Sequence, residues 1–100
     1  MIKDFYALPK FLFGQGYVTL TNDARVLYAL LLDRFETDKR IDEAGKAYLI
    51  FTREAMSQAL LVSDKSARRA VVLLKGCALL TEERPGWMRA NAIYLNFPER

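Results

Sequence analysis

The sequence has no histidine and only one cysteine among its 100 residues. Imidazole is the most common general base and the most common metal ligand in proteins. With Cys77 as the lone thiol, neither a zinc site nor a Cys/His or Ser/His nucleophilic pair can be assembled in the usual way. We therefore expect a protein that is not an enzyme and that uses no metal or other cofactor.

Glycine is scarce too, and the five glycines are too scattered to form a phosphate-binding loop. No apolar run approaches the roughly 20 residues of a membrane span, and no apolar signal segment follows Met1. A single cysteine fits a reducing compartment, so we expect a cytoplasmic protein. The acidic pairs Asp42-Glu43 and Glu82-Glu83 adjoin turn signals, and we interpret them as solvated rather than catalytic.

The spacing of apolar residues predicts three main helices, over about Asp23–Glu36, Arg53–Leu60 and Asp64–Gly76. A capping side chain precedes each helix: Thr21 or Asn22, Thr52, and Ser63. The stripe predicted to be buried on the first helix is Ala24, Leu27, Tyr28, Leu31 and Phe35. On the second helix the inward residues are Ala55, Met56, Ala59 and Leu60. On the third they are Ala67, Ala70, Val71, Leu74, Cys77 and Ala78.

Extended segments separate and follow these helices. Residues 38–51 are predicted to be extended, with a turn at 43–46 where Gly45 can adopt a positive φ. "LLTEER" and "NAIYLNF" alternate as strands do, and the Pro-Gly pair of "PGWMRA" between them signals a turn. In the second of these strands, Ile93, Leu95 and Phe97 share one face.

Together these elements predict one α+β domain over residues 1–100, with the winged helix-turn-helix fold. Two helices joined by about three residues form a helix-turn-helix, and a hairpin beside them forms a wing. We expect three main helices and a small antiparallel sheet that ends in a C-terminal β-hairpin wing. The predicted parts are an N-terminal arm with a short helix over 1–20, the helix-turn-helix over 52–76 and the wing over 79–97.

The net charge of +3 is concentrated on the third helix. Residues 1–62 hold eight Lys/Arg against eight Asp/Glu, and residues 77–100 hold three against three. Lys65, Arg68, Arg69 and Val72 lie opposite the buried arc of this helix, and Ser66 and Lys75 lie at its flanks.

The second helix of a helix-turn-helix presents such a face to the DNA major groove. Arginine and lysine can donate to guanine or to phosphates, serine can make either kind of contact, and valine can touch a thymine methyl. Four cations on a helix are also compatible with a merely solvated face. The charges share one sign after Asp64 and supply the whole net charge, which favours DNA binding.

Further candidates lie outside this helix. Arg53 begins the preceding helix, whose free N–H groups suit a phosphate. Arg84 and Arg89 lie in the wing around Trp87, which can either reach DNA or pack on its own hairpin. The complete set of predicted DNA-binding residues is Arg53, Ser63, Lys65, Ser66, Arg68, Arg69, Val72, Lys75, Arg84 and Arg89.

The N-terminal arm is unusually rich in aromatic residues. If Phe5, Leu8, Phe11 and Leu12 dock on the core, Tyr6 and Phe13 are left facing outward. Exposed apolar side chains of this kind often mark interfaces, so we expect a homodimer that uses Tyr6 and Phe13. The alternative is that these aromatics fold over the first helix of their own domain.

Several segments resemble the N-terminal domain of the RepA_N family of plasmid replication initiators (replication initiator protein A). The most specific are "LPKFLF", "LTNDARVLYALLLDR" and "YLIFTRE", and the similarity runs from about Phe5 to Phe97. The stretch "ERPGWMRAN" is the least similar. The resemblance implies a domain that binds repeated sites (iterons) at a replication origin and that self-associates. It also implies that Lys65, Ser66, Arg68 and Arg69 fill recognition-helix positions.

In this family such domains belong to longer initiators, whose C-terminal domain engages the host replication machinery. The chain is thus expected to be either an N-terminal domain or a stand-alone relative, with double-stranded origin DNA as its partner. Two other functions stay open. One is a winged-helix transcriptional repressor, and the other is a winged-helix module that binds proteins.

Overall fold

A computed structural model describes residues 2–84 and 91–98. Within these ranges the chain forms three helices: α1 (Asn22–Asp38), α2 (Arg53–Leu60) and α3 (Asp64–Gly76). It also forms four strands: β1 (Arg40–Ile41), β2 (Ala47–Ile50), β3 (Leu80–Glu83) and β4 (Ala92–Leu95). Two short 3-10 turns, Lys10–Phe13 and Gln15–Tyr17, precede α1. The predicted turn "PGWMRA" lies outside the described residues, whereas the strands on either side of it are described.

All three helices begin where the capping residues predict. The hydroxyl of Thr21 accepts a hydrogen bond from the backbone N–H of Ala24 at 3.2 Å, and Thr52 and Ser63 cap α2 and α3 in the same way. Helix α1 ends at Asp38 and not at Glu36 as predicted, so it includes Asp38, which we expect from the sequence to be extended. Arg34 pairs with Asp38 at 3.3 Å one turn away, which favours this continuation.

The strands form one antiparallel sheet in the order β1-β2-β4-β3. Leu49 lies opposite Ile93 and Glu82 also pairs with Ile93, so these three residues share a sheet face. The turn between β1 and β2 has Gly45 at φ +83°, as predicted. The carboxylate of Asp42 accepts the backbone N–H groups of Ala44 and Lys46 in this turn. Asp42 is therefore a structural residue of the turn.

Helix α1 lies at the centre of the core, where it packs against α2, α3 and β2. Its predicted stripe is buried except for Phe35, which is half-buried. The Tyr28 hydroxyl donates to the backbone oxygen of Asn96 at 2.6 Å, which ties the centre of α1 to the end of β4. The largest fully buried side chains are Tyr28, Leu12, Leu27, Leu30, Leu31, Leu49, Met56, Leu74, Leu79, Leu80, Ile93 and Val71.

Two residues that we assign to the inward faces of α2 and α3 do not face inward. Ala59 is exposed on α2, whereas Ser57 is buried there and donates its hydroxyl to the backbone oxygen of Glu54. Ala78 is exposed because it lies beyond α3, in the left-handed region at φ +60°, where the helical period no longer sets its direction. The other five residues of the α3 arc are buried or half-buried.

The N-terminal arm is only partly docked. Leu12 is fully buried and Phe11 packs on the core, but Phe5 is 66% exposed and Leu8 is 42% exposed. The prediction for Phe5 and Leu8 is wrong because both precede the 3-10 turn Lys10–Phe13 and therefore share no helical face with Leu12. Tyr6 and Phe13 are exposed, as predicted.

Arg25 of α1 fastens this arm to the domain. Its guanidinium donates to the backbone oxygens of Leu12 at 2.7 Å and Tyr17 at 3.2 Å, and to the side chain of Asn22. The same group lies 4.8 Å from the centre of the Phe13 ring, within the range of a cation–π contact. The arm is thus anchored from Leu12 onward.

The connection between α2 and α3 contains a residue in an uncommon backbone conformation. Leu61 ends α2 at φ 59° and ψ 43°, and its backbone N–H bonds to the oxygen of Ser57. Its side chain is 90% exposed. Apart from glycine, few residue types adopt this left-handed geometry without a steric cost.

Candidate nucleic-acid interface

Helix α3 exposes one polar, positively charged face. Lys65, Arg68, Arg69 and Val72 are all exposed, as predicted, and the opposite face is buried against α1 and α2. Within the part of the chain that the structure describes, none of these three cations forms an ion pair. Their N–H groups are therefore available to a negatively charged partner.

Ser63 and Ser66 shape the N-terminal end of this face. Ser63 accepts the backbone N–H of Ser66, and the two hydroxyls lie 3.1 Å apart. Ser66 is half-buried and Ser63 is exposed. Both hydroxyls therefore lie in the first turn of α3, next to Lys65.

Two of the predicted cations, Arg53 and Lys75, converge on one carboxylate. The guanidinium of Arg53 makes a two-pronged contact with Glu82, at 2.6 and 2.7 Å. The ammonium of Lys75 lies 2.7 Å from the same carboxylate. The Glu82 side chain is only 4% exposed, whereas Arg53 is 27% and Lys75 43% exposed.

Hydrogen bonding to Arg53, and then to Lys75, lowers the pKa of Glu82 to about 2, although burial acts in the opposite direction. Glu82 is therefore ionised at neutral pH. It joins the first residue of α2, the end of α3 and β3. We call this group the Glu82 triad (Arg53, Lys75 and Glu82).

The interpretation of Glu82 as a solvated carboxylate is wrong. In β3 the residues alternate between faces, and Glu82 shares the inward face with the buried Leu80. That alternation was a usable signal for its burial. Its two cationic partners come from distant parts of the chain, and the sequence alone gives no indication of that meeting.

The remaining predicted residues lie elsewhere. Arg84 is exposed directly after β3, while Arg89 and Trp87 lie outside the described residues. Tyr6 and Phe13 belong to the exposed side of the N-terminal arm. The structure therefore groups Ser63, Ser66 and the three exposed cations on α3, with the Glu82 triad at the other end of that helix.

The three helices, the short α2–α3 turn and the antiparallel β3–β4 pair define a winged helix-turn-helix protein. The second helix of the helix-turn-helix motif, α3, carries the exposed basic face. Of the helices in residues 2–84 and 91–98, none is long and apolar enough to cross a membrane.

The chain belongs to the family described as the N-terminus of replication initiator protein A (RepA), which it matches over residues 4–99. It is similar to a "41 kDa protein" of Lactobacillus helveticus, with 32% identity over 100 residues. That alignment covers 96% of this chain and 28% of the relative, so the chain spans little more than a quarter of that protein.

Three solved structures are similar in fold to this chain. One, an "N-terminal domain of DNA binding protein", has a TM-score of 0.83 and 29% identity, covering 96% of this chain and 76% of its own. A "Rep-DNA complex" structure has a TM-score of 0.82 and 29% identity, covering 96% of this chain and 77% of its own. An "MDR initiator" structure has a TM-score of 0.80 and 32% identity, covering 96% and 78%.

Proposed function

We propose that this chain is a sequence-specific binding domain for double-stranded DNA, acting as the N-terminal domain of a plasmid replication initiator that recognises repeated origin sites. The observation that carries the proposal is the exposed face of Lys65, Arg68 and Arg69, which has no internal ion pair in the described residues. Family membership and the similarity to a Rep-DNA complex support the same conclusion.

In this proposal the N-terminal half of α3 enters the major groove. Arg68 and Arg69 read guanine edges, Lys65 and the hydroxyls of Ser63 and Ser66 contact bases or phosphates, and Val72 touches a thymine methyl. Arg84, and Arg89 with it, contact the backbone or minor groove from the wing. Arg53 and Lys75 contact phosphates.

Substitution of the two arginines tests this proposal. We expect Arg68→Ala and Arg69→Ala each to weaken specific binding by about 1–3 kcal/mol, because a bidentate arginine–guanine contact discriminates by that amount. Binding is measured by fluorescence anisotropy on a specific duplex and on a random one. Arg40→Ala is the matched control, since Arg40 lies on β1, at the far edge of the sheet from β3. If neither arginine variant changes the preference for the specific duplex, the proposed readout is wrong.

The repressor alternative has the same chemistry and differs in its target. Footprinting on DNA flanking the gene separates the two: protection of direct repeats supports the initiator, and protection of a single promoter palindrome supports the repressor. The salt dependence of DNA binding distinguishes both of these functions from a protein-binding module. DNA affinity falls steeply with salt concentration because bound counterions are released from the phosphates, and a module without DNA affinity shows no such dependence.

We also propose that the domain forms a homodimer through its N-terminal arm. Apolar side chains are concentrated on the exposed surface of this arm: Ile2, Phe5, Tyr6, Leu8 and Phe13. Two linked copies gain affinity for neighbouring DNA sites through their effective concentration, which suits a chain whose net charge is only +3. In this proposal a C-terminal region of the longer initiator engages host replication factors in the cytoplasm.

Sedimentation of the free protein over a concentration series tests the dimer. We expect the double variant Tyr6→Ser/Phe13→Ser to sediment as a monomer under conditions in which the parent is a dimer. Ile41→Ser is the control, because Ile41 is an equally exposed apolar residue on β1. A parent chain that stays monomeric throughout contradicts the dimer. So does a double variant that still dimerises.

A further inference from the structure

The Glu82 triad is unusual because one nearly buried carboxylate holds two cations that both keep an exposed side. The Glu82 side chain is 4% exposed, against 27% for Arg53 and 43% for Lys75. The carboxylate is therefore on the inner side of the triad and the cationic groups are on its outer side. The triad as a whole keeps one net positive charge.

Both cations retain donors beyond those that Glu82 occupies. A guanidinium carries five N–H groups and an ammonium carries three. Glu82 uses two N–H groups of Arg53 and one of Lys75 in the described contacts. The pairing with Glu82 fixes the planar guanidinium in one orientation. Arg53 has therefore already lost the conformational freedom that a solvated arginine would lose on binding a ligand.

The position of the Glu82 triad in the motif suits the oriented cations to contacts with DNA phosphates. Arg53 is the first residue of α2, Lys75 lies in the last turn of α3, and Glu82 is in β3 of the wing. In helix-turn-helix proteins the first helix of the motif crosses the DNA backbone, and in the homeodomain the C-terminal end of the recognition helix also contacts it. A phosphate is the group whose charge and geometry match spare donors of arginine and lysine.

Resting on the proposed function, we infer that Glu82 is a positioning residue for DNA binding. It orients Arg53 and Lys75 so that their outward N–H groups contact the phosphate backbone beside the groove occupied by α3. Glu82 itself contacts no phosphate. The pair adds affinity for any sequence, whereas the Arg68 and Arg69 face supplies the preference between sequences.

The variant Glu82→Gln separates a carboxylate that positions two cations from one that merely repels DNA. Glu82→Gln raises the net charge of the chain by one, so a carboxylate that merely repels DNA would give tighter binding once removed. A positioning carboxylate gives weaker binding, because both cations lose their fixed orientation. The sign of the change therefore separates the two roles.

The experiment measures binding of the full chain to a mixed-sequence duplex and to the footprinted duplex, by anisotropy over a salt series. We expect Glu82→Gln to weaken binding to both duplexes equally and to lower the slope of log K against log salt by about 1 to 2, since each phosphate contact contributes about 0.9. Glu82→Asp keeps the charge and should recover part of the loss. Glu43→Gln raises the net charge by the same one unit in the exposed turn between β1 and β2, away from β3, and controls for net charge.

Arg53→Gln and Lys75→Gln keep the inference testable if Glu82→Gln does not fold. Each variant should lower the slope of log K against log salt by about 1. If Glu82→Gln folds, the same substitution made in that variant should lower the slope by much less. Tighter binding by Glu82→Gln, or unchanged slopes in both cation variants, overturns the inference. In that case an effect of Arg69→Ala on specific binding still leaves the proposed function standing. A parent chain that does not bind duplex DNA overturns both.

Discussion

The left-handed residue in the helix-turn-helix offers a sharp test of the fold: replacing Leu61 with glycine should stabilise the domain. A non-glycine residue in this conformation costs about 1–2 kcal/mol, and Leu61 adopts it at φ 59°. Its side chain is 90% exposed, so removing it forfeits little packing. Glycine adds conformational freedom to the unfolded chain, which offsets about 0.4–1 kcal/mol of the gain.

The net expectation for Leu61→Gly is a stabilisation of about 0.5–1 kcal/mol, or about 2–8 °C in Tm for a domain of this size. Urea unfolding followed by circular dichroism, together with a thermal melt, measures it. Leu61→Ala is the matched control, because alanine loses the side chain and keeps the steric cost of the positive φ. If Leu61→Gly is no more stable than Leu61→Ala, the backbone at residue 61 does not carry the strain that its φ and ψ imply.

Two further predictions concern the core and the response to acid. Leu31→Ala should lower the free energy of unfolding by roughly 2–5 kcal/mol, because Leu31 is fully buried in the centre of α1; an unchanged urea midpoint would show that α1 faces another way. The pKa of Glu82 is lowered from 4.5 to about 2 by Arg53 and Lys75, so its ionised form stabilises the fold above pH 4.5, and this contribution is lost as the pH falls towards 2. It amounts to at most about 3 kcal/mol, and acid titration of the unfolding free energy should show a flatter profile for Glu82→Gln.

The helices and the basic face were predictable because they depend on local signals. Thr21, Thr52 and Ser63 set the helix starts through hydrogen bonds within one turn. The α3 face follows from the helical period alone, and Lys65, Arg68 and Arg69 are exposed as that period predicts. Such features need no knowledge of the rest of the fold.

The errors occurred where distant contacts or the end of an element decide the outcome. The alternation of β3 indicates the inward position of Glu82, but the two cations that pair with its carboxylate come from α2 and α3, and no local pattern encodes that meeting. The helical period places Ala78 on the buried face, but α3 ends at Gly76, so the period no longer applies there. Phe5 and Leu8, which we expect to dock on the core with Phe11 and Leu12, precede the 3-10 turn Lys10–Phe13 and are exposed.

The strand order also constrains when the domain can fold. Of the described strands, β4 comes last in sequence, yet it lies between β2 and β3 in the sheet, and the Tyr28 hydroxyl donates to the backbone oxygen of the residue that follows it. Until residues 92–96 leave the ribosome, β3 has no strand partner, and β1 and β2 form only a hairpin, which is marginal in water. Long-range pairings of this kind form late, because a long loop must close before they contribute. A nascent or truncated chain that stops before Ala92 should therefore lack the β2–β4 and β3–β4 pairings, so the wing can join the helical core only when β4 is inserted.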